Sequence, residues 1–232
     1  MGVRSLGNAL ASFGYKFGTT GLEAVNPAPI PSGLSATGGV ISDYTASGTT
    51  YRAHVFTSSG TFAVSSIGNL PTSVEYVVVA GGGAGGNRNG GGGGAGGYRS
   101  SVTGESTGGG GSLESAITVS AQSYTVIVGG GGFGTSTPSG NSPKNGSDSH
   151  FGPGTPTPIP ATGGGHGSYQ AAAASGGSGG GSADYPRGGR PGAGTANQGY
   201  AGGQGGSDQA SYTVGGGGGG AGAAGEGFPN GP

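Results

Sequence analysis

Residues 74–99, VEYVVVAGGGAGGNRNGGGGGAGGYR, contain the pattern that decides the fold, an apolar segment followed by runs of glycine. The chain of 232 residues contains 65 glycines, and further runs lie at 108–111, 129–132, 179–181 and 215–220. Glycine loses more backbone entropy on folding than any other residue, so ordinary helix and strand interiors avoid it. Such runs therefore form either a disordered linker or an arrangement that needs the absence of Cβ throughout.

Composition excludes several classes of protein. Only 7% of the residues are charged and the net charge is -1, whereas a solvated, self-repelling linker usually carries more charge. The chain has no basic stripe to neutralise phosphates, which predicts no nucleic-acid partner. A Gly-X-Y repeat is absent, so a collagen triple helix is excluded. The chain contains no cysteine, which excludes disulfides and thiolate metal sites.

The first region, residues 1–39, is predicted to be an attachment segment followed by a Pro-rich connector. Leu6, Leu10, Phe13 and Phe17 fall on one face of a helix. Gly7 and Gly14 weaken that helix by about 1 kcal/mol each, so it needs a partner surface. Two interpretations stay open: the stripe packs on its own domain, or it anchors the chain onto a larger assembly. The sequence PAPIP at 27–31 predicts an extended connector, and no signal peptide is recognised.

The second region, residues 40–128, carries nearly all the strand signal and predicts a small antiparallel β domain. Residues 51–56 and 61–65 alternate apolar and polar side chains across a turn, which predicts a hairpin. Residues 74–80 are apolar enough for a buried strand, and residues 117–119 and 124–128 predict a second hairpin. The glycine-rich residues 81–97 interrupt this region. The core is too small to enclose a large active-site cavity.

The third region, residues 129–232, alternates glycine runs with short insertions that carry the larger side chains. Polyglycine-II helices have three residues per turn and no internal hydrogen bonds, so without Cβ several can pack side by side and bond to one another. Ala84, Ala95, Ala221 and Ser178 are expected where a side chain can point outward. The predicted fold is therefore mainly β and irregular, with a bundle of packed polyglycine-II helices and exposed loops.

No catalytic or cofactor site is predicted. Residues 81–86 match G-x-G-x-x-G after a strand, but a dinucleotide site needs a helix to open there, and Asn87-Arg88-Asn89 and more glycines follow instead. No P-loop motif occurs, and the three histidines are widely spaced, so no metal site is expected. The carboxylates show no diagnostic pairing. We therefore predict a protein that is not an enzyme and holds no cofactor.

Residues 74–99 resemble the glycine-rich domains of bacteriophage tail fibres and adhesins, especially those of marine phages. Residues 108–119 (GGGGSLESAITV), 124–131 (YTVIVGGG) and 192–203 (GAGTANQGYAGG) share the likeness, which covers about residues 50–222. The resemblance implies a sandwich of packed polyglycine-II helices on the surface of a virion. Loops at the far end of that sandwich would then touch a receptor on the host.

The predicted function is thus binding by a virion fibre or adhesin, through loops on a rigid scaffold. The partners would be a host surface glycan or an outer-membrane protein and, through the N-terminal segment, other virion proteins. Fibres of this kind suggest a homotrimer. Aromatic and arginine side chains in the insertions are the receptor-contact candidates: Arg88, Tyr169, Tyr185, Arg187, Arg190 and Tyr212. A structural head fibre or decoration protein, and a cellular glycine-rich matrix or filament protein, stay open as alternatives.

Overall fold

The computed structural model describes residues 32–46, 48–134, 143–152, 155, 158–169, 171–183, 189–207 and 213–228. Within these ranges the chain is all strand and irregular structure, and no helix there is long and apolar enough to cross a membrane. Several predictions lie outside the described residues: the N-terminal stripe of Leu6, Leu10, Phe13 and Phe17, and the contact candidates Tyr185, Arg187 and Tyr212.

The strands of the described residues are short. In chain order they are β1 (Ser35–Thr37), β2 (Val40–Ala46), β3 (Thr49–Val55), β4 (Gly60–Ser66), β5 (Ser73–Val74), β6 (Val77–Val79), β7 (Tyr98–Ser100), β8 (Ile117–Thr118), β9 (Ser123–Ile127), β10 (Ser149–Phe151), β11 (Ile159–Ala161), β12 (Gly206–Ser207) and β13 (Thr213–Val214).

A five-stranded antiparallel sheet in the order β1-β4-β9-β10-β11 holds the apolar core. Alternate residues of a strand face the same side, so Phe62 and Val64 of β4 and Tyr124 and Val126 of β9 are buried together. The rings of Tyr124 and Phe151 stack with centroids 5.4 Å apart. Strands β10 and β11 lie beyond residue 128, so this sheet includes part of the third region, residues 129–232.

The two predicted hairpins are wrong in their pairing. Residues 51–55 belong to β3, which pairs with β2 over seven residue pairs from Val40↔Val55 to Ala46↔Thr49. Strand β4 pairs with β1 and β9 instead. In the same way β8 pairs with β5 and β9 with β4, so these two strands do not form a hairpin. Alternation predicted where strands lie but not their partners, because a local pattern holds no information on long-range pairing.

The segment 74–80 is not one buried strand. Val74 belongs to β5 and pairs with Ile117 of β8, whereas Val77–Val79 form β6 and pair with β7. Val77 is 47% exposed and Val79 is 53% exposed. The strand partner thus changes between Val74 and Val77, and in the second half of the segment Val78 packs against the core and Ala80 is buried.

The glycine-rich segments are bonded to one another through their backbones with a three-residue repeat. In residues 81–86, the N–H groups of Gly81 and Ala84 donate to Ser147 and Lys144. The N–H groups of Gly83 and Gly86 donate to Gly94 and Gly91, on a different neighbour. Residues three apart thus face the same neighbouring segment, which an ordinary strand with its two-residue repeat does not do.

Residues 91–97 repeat this arrangement. Gly91, Gly94 and Gly97 donate to Ser168, Gly165 and Thr162, so this segment runs antiparallel to residues 162–168. Gly92 and Ala95 donate to Gly216 and Gly219, on a third segment that runs parallel. One segment therefore bonds to neighbours on several sides, and the backbone amides are satisfied between segments rather than within them.

Glycine is required where these segments meet. A Cβ at Gly164 would collide with the carbonyl of Gly94, and a Cβ at Gly81 with the carbonyl of Gly130. Of the four residues predicted to point outward, Ala95 is exposed and Ala221 is half-buried. Ala84 is 8% exposed and Ser178 is fully buried, because the bundle leaves room for small side chains inside it.

Candidate functional site

Several turns gather at one end of the glycine-rich bundle, which we call the loop end. Segments 81–86, 163–168 and 178–181 run parallel, as their bonds Gly164 to Gly81, Gly167 to Ala84 and Ser168 to Gly181 show. All of them therefore arrive at the same end. The chain turns back there at residues 87–90, Tyr169 follows segment 163–168 at this end, and residues 182–183 follow segment 178–181 there. The loop end thus combines residues that are far apart in sequence.

Arg88 lies at the tip of the first of these turns. Gly86 donates to Gly91 and Gly90 donates to the carbonyl of Asn87, both at 2.8 Å, and these bonds close the turn. Arg88 has a φ of 53°, a left-handed conformation that non-glycine residues rarely adopt. The turn thereby fixes an exposed arginine in a costly backbone conformation, a feature that often accompanies function.

Tyr169 lies beside Arg88, as the guanidinium carbon of Arg88 is 5.9 Å from the centre of the Tyr169 ring. This distance allows a cation–π contact. The backbone before Tyr169 is held on two sides: Ser168 donates to Gly181 and accepts from Gly91. The hydroxyl of Ser168 also donates to the carbonyl of Ala171. The structure therefore brings together two of the predicted contact residues and presents them on a fixed backbone.

Arg190 lies at the loop end as well, two residues before Gly192, whose N–H donates to Gly180. Its carbonyl accepts from Ala173 at 2.8 Å, and its side chain is exposed. Its guanidinium makes no hydrogen bond or ion pair with any other described residue. Gln204 donates from Nε2 to the carbonyl of Gly189, which holds this segment against the bundle.

Two further residues at the loop end were not among the predicted contacts. Phe133 is 65% exposed, and its carbonyl accepts from Lys144 at 3.2 Å. Lys144 is also exposed, and its carbonyl accepts from Ala84, close to the 87–90 turn. The sequence carried one signal for Phe133, a single aromatic residue directly after a glycine run. The loop end thus holds aromatic rings beside three cationic side chains, Arg88, Lys144 and Arg190.

At the opposite end of the bundle, an ion-pair network fixes the β domain to the glycine-rich segments. Arg99 donates to Glu114 from Nε at 2.8 Å and from Nη2 at 2.5 Å, and the Tyr76 hydroxyl donates to the same carboxylate at 2.6 Å. Thr107 bonds to Glu114 and to the carbonyl of Asn197, which lies in a bundle turn. This network is structural support for the bundle.

The network also shifts the pKa values of Glu114 and Tyr76. Burial alone would push the pKa of Glu114 up, but the hydrogen bonds from Arg99 and Tyr76 and the charge of Arg99 outweigh it and hold the pKa of Glu114 below its usual value. Burial and the bond to Glu114 raise the pKa of Tyr76. Both groups therefore keep the protonation state that the network needs at neutral pH.

The described residues contain no group of three or more histidine and acidic side chains placed to hold a metal ion. A cavity of about 480 Å³ among them lies in the β domain. At the loop end, Arg88, Phe133 and Lys144 are exposed, so these side chains are open to contact with another molecule.

Comparison with known families gives one match, to the glycine-rich domain family over residues 57–231. The protein belongs to the glycine-rich domain family. The match covers the β domain from β4 onward together with the whole bundle, which supports the glycine-rich part of the predicted resemblance. No curated protein and no solved structure matches the chain.

Proposed function

We propose that this glycine-rich domain protein is an adhesin or fibre component of a virion, and that it binds a host cell-surface receptor through its loop end. The single observation that carries the proposal is the arrangement of Arg88 and Tyr169. Both extend from turns that backbone hydrogen bonds fix, and both lie where several loops meet. Rigid scaffolds that present variable loops are a common basis for recognition.

We further propose that the bonded glycine segments are polyglycine-II helices. Three observations support this assignment. The hydrogen-bond partners repeat every three residues, as a helix with three residues per turn requires. Residues 81–86 and 91–97 contain no glycine with a positive φ. Each segment bonds to neighbours on several sides, which the outward-pointing amides of such a helix permit.

The ligand chemistry follows from the side chains at the loop end. Arginine offers a planar fork that matches carboxylates and phosphates, and aromatic rings stack on the apolar faces of sugars with little loss of side-chain entropy. A surface glycan that carries acidic groups matches this combination. Such a receptor would lie outside the host cell, in agreement with a location on the virion surface, and a homotrimer would present three loop ends to it.

Binding to an array of bacterial surface polysaccharides, acidic and neutral, tests the proposal. We expect Arg88→Ala combined with Tyr169→Ala to weaken binding to acidic polysaccharides by tenfold or more, with the circular dichroism spectrum unchanged. Arg52→Ala provides a matched control, because Arg52 is an exposed arginine on hairpin β2–β3 that pairs with Asp43. Equal binding by the double variant and the control would contradict the proposal.

A further inference from the structure

An apolar groove of about 480 Å³ opens on the β domain beside hairpin β2–β3. We call it the valine groove, and its lining includes Val55, Phe56, Val77, Val79, Ile127 and Phe151. Val55, Val77 and Val79 are 49%, 47% and 53% exposed, and Ile127 is 39% exposed. A contiguous exposed apolar surface of this kind usually marks a place that another segment or molecule covers.

A polar atom in this groove also lacks a partner. His54 lines the groove, and its Nδ1 is 2.7 Å from the carbonyl of Gly38, so Nδ1 carries the hydrogen and donates. In the neutral ring Nε2 is then an acceptor. This Nε2 is buried and has no hydrogen-bond partner among the described residues. Buried polar atoms are normally satisfied, so this unpaired acceptor shows that the described residues alone leave contacts in the groove unfilled.

We propose that the N-terminal segment of the same chain, residues 1–31, covers the valine groove with the face that carries Leu6, Leu10, Phe13 and Phe17. The point where this segment joins the domain supports the assignment. Ser32 is held by Asn69, whose side chain accepts from the Ser32 N–H at 2.7 Å and whose N–H donates to the Ser32 carbonyl at 3.0 Å. Strand β1 follows and pairs with β4, the strand whose Phe62 lines the groove.

The length of the segment is sufficient. About 15 residues separate Phe17 from Ser32, and an extended chain of that length spans roughly 50 Å. A domain of about 200 residues has a radius of gyration of only about 16 Å. The stripe can therefore reach the groove of its own chain from Ser32.

The apolar stripe and the valine groove each have an apolar surface that needs to be buried. A short helix with two glycines is marginal in water unless an apolar face is buried. The groove exposes apolar side chains that its own domain leaves uncovered. This assignment agrees with the interpretation that the stripe packs on its own domain. The apolar stripe then serves the fold of its own chain, and mounting on a larger particle falls to other surfaces.

Cross-linking of the full chain tests this proposal directly, because the protein has no cysteine of its own. Phe13→Cys is combined with Val79→Cys and treated with a short bis-maleimide. Tyr15→Cys with Val79→Cys is the control, since the helical spacing predicted from the sequence puts Tyr15 on the face opposite the apolar stripe. We expect intramolecular cross-linking of the first pair at a rate at least fivefold above the control. Equal rates, or cross-linked dimers that show a second copy in the groove, would overturn the proposal.

A dye that fluoresces when it binds exposed apolar surfaces gives a second test of whether the stripe covers the valine groove. This test does not depend on introduced cysteines. We expect Phe13→Ser to uncover the groove and increase the fluorescence of bound anilinonaphthalene sulfonate several-fold, whereas Tyr15→Ser leaves it unchanged. The circular dichroism spectrum reports whether each variant stays folded. Equal fluorescence for both folded variants would show that the stripe does not cover the groove.

Discussion

At the scale of single residues, the packing of the bundle depends on the absence of a Cβ in glycine. Gly94 donates to Gly165 and accepts from Gly83, and these bonds place its Cα against the backbone of a third segment. A Cβ built there would collide with the carbonyl of Ser178. No flexible side chain stands in the way that could move aside. Glycine is required at position 94 because the neighbouring backbones leave no room for a Cβ, and not because of the conformation of Gly94 itself.

We therefore predict that Gly94→Ala lowers the free energy of unfolding by about 2–3 kcal/mol, because overpacking forces backbones apart. Gly130→Ala is the matched control. Gly130 has open space around a Cβ and no positive φ, so alanine there should be neutral or stabilising by about 0.4–1 kcal/mol through the unfolded state. Urea unfolding of both variants measures the difference. Similar midpoints for the two would contradict the proposed close approach.

Glu114 gives a prediction for pH dependence. Its folded pKa is lowered, so its contribution to stability is present above the unfolded pKa and is lost as pH falls through the folded value. Because the usual pKa of a glutamate is near 4.5, the loss is expected below about pH 4.5.

We predict that Glu114→Gln costs about 1–3 kcal/mol at neutral pH, because charged hydrogen bonds from Arg99 and Tyr76 are lost. The difference from the unchanged protein should shrink as pH falls from 5 to 3. Asp43→Asn is the control, since the Asp43–Arg52 pair is exposed and should contribute little. Thermal unfolding at several pH values measures both variants. A constant difference across this range would argue against a charged Glu114 in the network.

At the scale of elements, strands and glycine segments differ in how their sequence specifies them. The pattern in 61–65 and 124–128 predicted strands that coincide with β4 and β9 to within one residue at each end, since a two-residue repeat is visible locally. Their pairing with each other and with β1 and β10 was not predicted. Partner choice depends on shape matching in the core, where Phe62, Tyr124 and Phe151 meet.

The three-residue repeat of the glycine segments leads to a prediction for amide exchange. The N–H groups of Gly91, Gly94 and Gly97 donate to a neighbouring segment, whereas that of Gly93 has no backbone acceptor among the described residues. We expect hydrogen exchange at Gly91, Gly94 and Gly97 to be slower than at Gly93 by at least tenfold. Nuclear magnetic resonance of the labelled protein measures this. Uniformly fast exchange across residues 91–97 would show that the segments are not bonded as described.

At the scale of the whole molecule, apolar burial and backbone hydrogen bonding stabilise different parts of the chain. The apolar core is confined to the β domain, and the bundle buries mainly backbone. Exposure of apolar surface raises the heat capacity of unfolding, and exposure of polar backbone lowers it. The loop end is correspondingly free to vary, because its side chains contribute little to the fold.

We therefore predict a heat capacity change of unfolding below the 12–15 cal/mol/K per residue that is typical of globular proteins, by roughly a quarter or more. Differential scanning calorimetry at several pH values measures it. A value within the ordinary range would indicate that side-chain burial stabilises the bundle as it does other proteins, and would count against a backbone-bonded scaffold.

The composition by itself determined that long runs without Cβ required either disorder or close backbone packing, but it did not show that Phe151 and Ile159, beyond residue 129, join the apolar core. It also placed Arg88 and Tyr169 in insertions between glycine runs. Only the tertiary structure decided that these two residues meet, that Val77 and Val79 stay exposed, and which segment bonds to which. The physical reason is that glycine segments are nearly identical in sequence, so their partners are selected by chain connectivity and geometry rather than by side-chain identity.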